Sequence, residues 1–195
     1  MAHRSVWSAI FLFLYLYFFL GLNRRFFLIG LNELGLLFLA GILIAINWYG
    51  FIYAVTSGNA LQASLGYYIF PIVAVFLGIV FKREKFTIIQ TLAICLVIIA
   101  VVSLIYMNGE VPGLALILAF SFGFYGLIKS TVKLNPISSV AYETILITPL
   151  VIIVMIFFTE PTLNRENIFA DSTLILLIFS GLITAVPLVL FSTGT

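Results

Sequence analysis

The sequence is short of nearly everything a water-soluble protein uses. Charged residues make up 8% of its 195 residues, where a soluble domain has about 25%. Too few polar groups remain to cover a surface in water. A soluble enzyme, a nucleic-acid binder and a disordered tail are thereby excluded. A single cysteine, Cys95, excludes a disulfide framework and a thiolate metal cluster. A single histidine, His3, excludes a multi-histidine metal site, and a single aspartate, Asp171, leaves little for paired-carboxylate chemistry. No catalytic residue, metal site or cofactor is therefore assigned. There is no phosphate-cradling G-x-x-x-x-G-K-[ST] motif, so ATP is not the energy source in this chain.

Apolar residues fill the space that the charges leave. They account for 64% of the chain, with Phe 20, Tyr 9 and Trp 2, and the mean hydropathy is +1.28. Seven apolar runs lie between polar separators, at roughly 5–22, 34–55, 60–81, 87–107, 113–130, 139–158 and 172–193. Each is about 18–22 residues long, enough to cross a hydrocarbon core as a helix. The runs lack the alternation of barrel strands, and an unpaired backbone is expensive in lipid. The expected fold is all-α, a polytopic membrane helix bundle with seven transmembrane helices and the lipid bilayer as its partner. The first run is long for a signal peptide and has no small-residue cleavage site.

Basic residues set the expected orientation. Arg24 and Arg25 follow the first run, Lys82, Arg83 and Lys85 the third, and Lys129 and Lys133 the fifth. The intervening turns have none, which puts the three basic connections in the cytoplasm. The first helix then starts outside, at His3-Arg4, and a missing upstream helix would explain so abrupt a start.

The second and seventh runs align without gaps. LGLLFLAGILIAINWYGF (34–51) lies over LILLIFSGLITAVPLVLF (174–191), with Leu34/Leu174, Gly41/Gly181, Ala45/Ala185 and Phe51/Phe191 among the coincidences. Helices five crossings apart run in opposite directions, so this is the pattern of an inverted five-plus-five repeat. Secondary transporters commonly use that plan, with the substrate between the repeats.

The residues also resemble a known family. They are His3-Arg4, Trp7-Ser8, Asn47-Trp48, the stretch 63–67 (ASLGY) with Pro71, Glu84, the stretch 119–122 (AFSF) with 124–127 (FYGL), Glu143-Thr144 and Val186-Pro187-Leu188. In this order they resemble RarD-type permeases, the chloramphenicol-sensitivity proteins of the drug/metabolite transporter superfamily with EamA-type repeats. The resemblance implies a ten-helix permease of the bacterial inner membrane, of which this chain holds the second to eighth helices. Residues 1–109 would be the last four helices of the first repeat, and 110–195 the first three of the second. The chain departs from the family at Gln62 and Phe70, where members often carry Glu and Asn.

Polar residues inside a membrane tend to face the bundle interior or a watery cavity. The candidate cavity set is Asn47, Trp48, Gln62, Tyr67, Tyr125, Glu143 and Thr144. Glu143 is the candidate coupling carboxylate. Its competing reading is an acid in the first helical turn, favoured by the helix dipole and wetted by cytoplasmic water. Asn47 could bind a ligand or cross-link helices. Pro71, Pro149 and Pro187 are the helix-bending candidates, against static kinks. Ala115, Ala119 and Gly123 form a small-residue face, and Ser121, Tyr125 and Lys129 a second stripe. Lys129 is expected to snorkel to the cytoplasmic interface, and Cys95 to pack inertly.

The function that fits is a secondary transporter moving small metabolites or drugs by alternating access, with protons a possible coupling partner and no nucleic acid involved. The alternatives are a non-functional gene fragment of such a permease and a membrane-embedded lipid-modifying enzyme. The second would need clustered titratable groups, and the acids here are scattered. A retinal protein would need a lysine in the last run, which has none.

Overall fold

The computed structural model describes residues 2–20, 29–83, 87–108, 112–158 and 171–194. These residues form seven α-helices: α1 Ala2–Tyr15, α2 Leu31–Thr56, α3 Ala60–Leu77, α4 Ile88–Asn108, α5 Gly113–Lys129, α6 Pro136–Phe158 and α7 Asp171–Gly194. α1 continues into a π-turn at Leu16–Leu20 and α3 into another at Gly78–Lys82. The seven helices fall on the seven apolar runs, and the chain is a polytopic helical membrane bundle. Arg24, Arg25, Glu84, Lys85, Glu110 and the loop after α6, residues 159–170, lie outside the described residues. The side chains of His3 and Arg4 do too.

Among the described residues four stretches are long and apolar enough to cross a membrane: Leu31–Thr56, Ala60–Lys82, Ile88–Met107 and Pro136–Ile153. Three shorter apolar helices accompany them, Val6–Phe18, Gly113–Lys129 and Ile178–Gly194.

Local chemistry sets the helix ends. Between α2 and α3 the chain turns at Gly58, whose φ of +80° suits a residue without a Cβ. Asn59 N–H closes that turn on Ala54 C=O at 2.7 Å. α4 starts with a reciprocal cap. Gln90 N–H donates to Thr87 Oγ1 at 3.4 Å, and Thr87 N–H donates to Gln90 Oε1 at 2.9 Å. α6 starts three residues before its apolar run. Asn135 Oδ1 accepts from Ile137 N–H at 3.2 Å, and Pro136 takes the first helical position, where a missing N–H costs nothing.

The chain divides into two compact units, residues 1–42 with 129–195, and residues 43–128. In the first unit, α1 packs against α6 and α7, and α6 against α7. Two glycines make the close crossings. A Cβ on Gly181 of α7 would collide with Trp7 Cβ and lie 2.8 Å from Ser8 N. A Cβ on Gly41 of α2 would lie 3.2 Å from both Glu143 O and Ile147 Cβ of α6. These crossings are reciprocal: the step from 41 to 181 equals the step from 7 to 147.

In the second unit, Leu65, Ile69, Val73 and Leu77 of α3 bury against Ala115 and Ala119 of α5. Ala54 of α2, Ala63 of α3 and Leu118 of α5 form an adjoining cluster. A Cβ on Gly66 would lie 2.8 Å from Leu118 Cβ, and one on Gly123 2.7 Å from Val73 Cγ1. The small-residue face of α5 thus lets α3 come close, which is how helices associate where lipid is as apolar as leucine. No described residue of α4 between 88 and 107 is buried, which is how a lipid-facing helix looks. Cys95 is on it and exposed, so the expected inert packing of this residue does not hold.

Candidate functional site

The polar chemistry of the first unit converges where α5 ends and α6 begins. Lys129 is the last residue of α5, and a connection of six residues (130–135) leads to α6. Ser139 and Glu143, four residues apart, share one face of α6. Helical side chains lean toward their own N-terminus, so Glu143 leans back toward the α5 end. Lys129 Nζ donates to Glu143 Oε2 at 2.9 Å and to Ser139 Oγ at 2.6 Å. Both charged side chains are buried, with 0% and 1% of their surface exposed.

This corrects two sequence expectations. Lys129 does not snorkel to the interface. Its long stem can reach either water or the carboxylate, and the bare carboxylate is the costlier group to leave in an apolar bundle. Glu143 is not a wetted acid of the first turn either. Because α6 begins at Pro136, the residue sits two turns inside the helix and is buried. Thr144 is buried but turns its hydroxyl back to Val140 O at 2.6 Å, and Thr148 does the same to Thr144 O. Those donors are spent within α6.

The second unit has a neutral network. Asn47 of α2 is 1% exposed. Its Nδ2 donates to Leu118 O at 2.9 Å and to Ser121 Oγ at 3.2 Å, both on α5. Ser121 Oγ in turn donates to Leu118 O at 3.1 Å. Tyr67 OH of α3 stands 3.5 Å from Asn47 Oδ1, at the long limit of a hydrogen bond. Asn47 is therefore a cross-link that ties α2 to α5 and leans on α3.

Rings line the same region. Tyr67 meets Phe51 edge-on at 5.7 Å and Phe122 at 6.4 Å, Phe70 lies 4.7 Å from Phe122, and Phe122 stacks on Tyr125 at 5.8 Å. Tyr125 is fully buried, whereas Tyr67 is 42% exposed. Trp48 is half-buried. Gln62 Oε1 is a buried acceptor with no hydrogen-bond partner among the described residues.

The structure thus brings Asn47, Tyr67 and Tyr125 of the expected set together through Ser121 and Phe122. Glu143 and Thr144 belong to the other unit. Pro71, Pro149 and Pro187 lie inside α3, α6 and α7, each of which continues through its proline. Sequence reasoning missed the Lys129–Ser139–Glu143 cluster. Its signal was present: an acid and a hydroxyl at helical spacing, a short connection after a lysine-ended helix. Sequence reasoning also missed the bond from Ser8 Oγ to Gly181 O at 2.8 Å, which spans 173 residues. Among the described residues no group of three His, Cys, Asp or Glu could hold a metal ion.

Comparison with known proteins accords with this membrane architecture. Residues 1–106 match the EamA-like transporter family. The chain is 39% identical over its whole length to the uncharacterized transporter YojE of Bacillus subtilis, of which it spans 66%. It is 33% identical to Protein RarD of Escherichia coli, with 98% of this chain and 65% of that protein aligned. With Protein RarD of Streptomyces exfoliatus the identity is 36%, over 98% and 61% of the two chains. The chain therefore spans just under two thirds of the length of these relatives. No solved structure matches it. An all-helical apolar fold, a family match over more than half the chain and RarD-type relatives along nearly all of it agree: this chain belongs to the EamA-like transporter family.

Proposed function

We propose that the chain works in a secondary transporter that moves small metabolites or drugs across the bacterial inner membrane by alternating access, with Glu143 as its proton-coupling carboxylate. The observation that carries this reading is the buried Lys129–Glu143 pair at 2.9 Å. Ionisable groups inside a membrane bundle are expensive and mark ion or proton pathways by default. The reciprocal glycine crossings support the inverted-repeat plan, with α1 and α2 of one repeat related to α6 and α7 of the next.

The solute side of the mechanism is assigned to the second unit. Asn47, Trp48, Gln62, Tyr67 and Tyr125 supply amide, indole and phenol groups, with Gln62 Oε1 ready to accept a donor from a solute. Thr144 stays with Glu143 as a support of the α6 backbone. Pro71, Pro149 and Pro187 each lack the N–H of an ordinary helical residue, so that α3, α6 and α7 can bend as the repeats rock. The three basic connections are placed in the cytoplasm.

The test uses vesicles containing the full chain, an imposed pH gradient, and chloramphenicol alongside a panel of uncharged aromatic metabolites as probes. Gradient-driven movement of at least one probe is expected in the parent, and its loss in Glu143→Gln, which cannot cycle between charged and neutral forms. The same flux in both proteins would remove Glu143 from the mechanism.

A further inference from the structure

We infer that Ser8 and Thr148 are alternating latches, two positioning residues of which Ser8 holds the α1–α7 crossing in the state of this structure and Thr148 holds the α2–α6 crossing in the opposite state. This rests on the alternating-access reading and names the contacts that exchange.

The starting point is a correspondence of positions. The step that carries Gly41 to Gly181 also carries Leu31, the first residue of α2, to Asp171, the first of α7. It carries Trp7 to Ile147 and Ser8 to Thr148. Each glycine meets the matching side chain: Trp7 Cβ is among the nearest atoms to a Cβ on Gly181, and Ile147 Cβ to one on Gly41. The two crossings are thus one contact made twice, and both lie within the first unit. In each, a hydroxyl residue follows the side chain that meets the glycine.

What differs is where the hydroxyl donates. Ser8 is buried, and its Oγ crosses to Gly181 O at 2.8 Å. Thr148 is half-buried, and its Oγ1 turns back on its own helix to Thr144 O at 2.6 Å. The glycine contacts differ in the same sense. A Cβ on Gly181 would lie 2.8 Å from main-chain atoms of both Trp7 and Ser8. One on Gly41 would lie 3.2 Å from Glu143 O and Ile147 Cβ, and none of its three nearest atoms belongs to Thr148. One turn further along, Leu12 of α1 is 6% exposed and its counterpart on α6, Ile152, is 37% exposed. One crossing is shut and fastened; its repeat mate is looser and unfastened.

Two copies of one contact in different states define the second state by exchange. When inverted repeats rock, each takes up the arrangement that the other had. Thr148 Oγ1 then donates to Gly41 O, as Ser8 Oγ does to Gly181 O in this structure. Ser8 Oγ turns back to the carbonyl four residues earlier on α1, as Thr148 does on α6. The chemistry allows both steps. A helical carbonyl has a second lone pair for a hydroxyl. A hydroxyl has one proton, so it can serve its own helix or the crossing but not both. Either state holds one hydroxyl bond across a crossing and one within a helix. The exchange is balanced, which keeps the two states close enough in energy for both to be populated. Pro149 directly follows Thr148 and gives α6 a point of bending at the crossing.

The experiment reads both crossings with spin labels and needs no transported solute. The full chain with Cys95→Ser is reconstituted in vesicles of phosphatidylethanolamine and phosphatidylglycerol. One sample is labelled at Ile10→Cys and Phe179→Cys, across α1 and α7. The other is labelled at the repeat counterparts, Leu150→Cys and Leu39→Cys, across α6 and α2. All four positions are exposed. Double electron–electron resonance gives the distance distribution of each pair. Ser8→Ala removes the latch in use. The population with α1 and α7 apart is expected to rise about fivefold over the latched one, the worth of one hydrogen bond, while the 39–150 pair closes in equal measure. Thr148→Val removes the other latch and should move both pairs the opposite way by a similar factor. The double variant should return toward the parent, and Thr148→Ser, which keeps the hydroxyl, should match it. Thr148→Val also serves should Ser8→Ala fail to fold, since the Thr148 bond in this structure lies within α6. A 10–179 pair that opens in Ser8→Ala while the 39–150 pair stays still would overturn the inference. So would a Thr148→Val that leaves both pairs unmoved or moves them as Ser8→Ala does. The two readings separate cleanly. If the pairs exchange while no probe crosses the vesicle membrane, the latches stand and the transport role falls. If probes cross and the pairs do not exchange, the transport role stands and the latches fall.

Discussion

The two compact units solve one problem with different chemistry. Both are built from apolar helices drawn together at small residues, Gly41 and Gly181 in one, Gly66 and Gly123 in the other. Both also bury polar groups, because lipid gives helices no hydrophobic reason to prefer each other. The first unit buries a full charge pair, Lys129 with Glu143. The second buries an amide, a hydroxyl and a ladder of rings, with no Asp, Glu, Lys or Arg between residues 43 and 81. A neutral cross-link adds about 1 kcal/mol and is indifferent to pH. A buried ion pair adds little net stability but is expensive to break from one side. On the coupling role proposed for Glu143 a proton acts on the first unit, whereas residues 43–81 of the second offer it no Asp, Glu, Lys or Arg.

The largest effect is expected where the pair is broken from one side. Lys129→Met leaves Glu143 buried without its cation and should cost about 3–5 kcal/mol. Thermal unfolding in detergent would read this as a strongly lowered midpoint or as loss of folded protein. Lys129→Met combined with Glu143→Gln removes both charges and should recover most of the loss, because replacing a whole buried pair is often neutral. Equal damage from the single and double variants would mean that packing, not charge, distinguishes the first unit.

The comparison can also be broken from the other side, by giving the second unit a charge. Asn47→Asp turns a donor pair into an acceptor that faces Leu118 O and Ser121 Oγ, with no cation bonded there. A cost of about 3 kcal/mol is expected, the usual figure for an aspartate at a helix centre. Asn47→Leu only deletes the cross-link and should cost about 1 kcal/mol. Thermal unfolding of the two variants side by side gives the difference. Equal costs would show that the second unit tolerates charge as well as the first.

Much of this was legible in the sequence, and the limits are physical. Charges and turn residues between apolar runs marked all seven helices, because a lipid-crossing helix has a fixed minimum length. Asn47 and Glu143 stood out because a polar side chain in an apolar run is costly and so has a role. The partner was the illegible part. Lys129 ends a helix, where a cation can turn outward or inward, and the choice depends on how near α6 brings Ser139 and Glu143. The bond between Ser8 and Gly181 left even less trace, since a serine in a first helix has many possible acceptors. Only the shared offset of the Gly41 and Gly181 crossings connects it to a pattern, and that pattern needed the fold to be seen.

The smallest effects test how equal the two reciprocal crossings are. A Cβ on Gly181 meets main-chain atoms, with Ser8 N and Trp7 C both at 2.8 Å. Helix backbones cannot give way singly, so α1 and α7 must part, and the 2.8 Å bond from Ser8 Oγ to Gly181 O lengthens with them. Gly181→Ala should therefore cost about 1–3 kcal/mol, the range for forcing an extra carbon into a filled space. At Gly41 the same carbon would lie 3.2 Å from Glu143 O and Ile147 Cβ. A shift of a few tenths of an ångström accommodates it. Gly41→Ala should cost less than about 1 kcal/mol. The thermal midpoints of the two alanine variants decide it. If Gly41→Ala proves as damaging as Gly181→Ala, the small gap at the α2–α6 crossing has no energetic value. The two crossings would then be equivalent in tightness as well as in position.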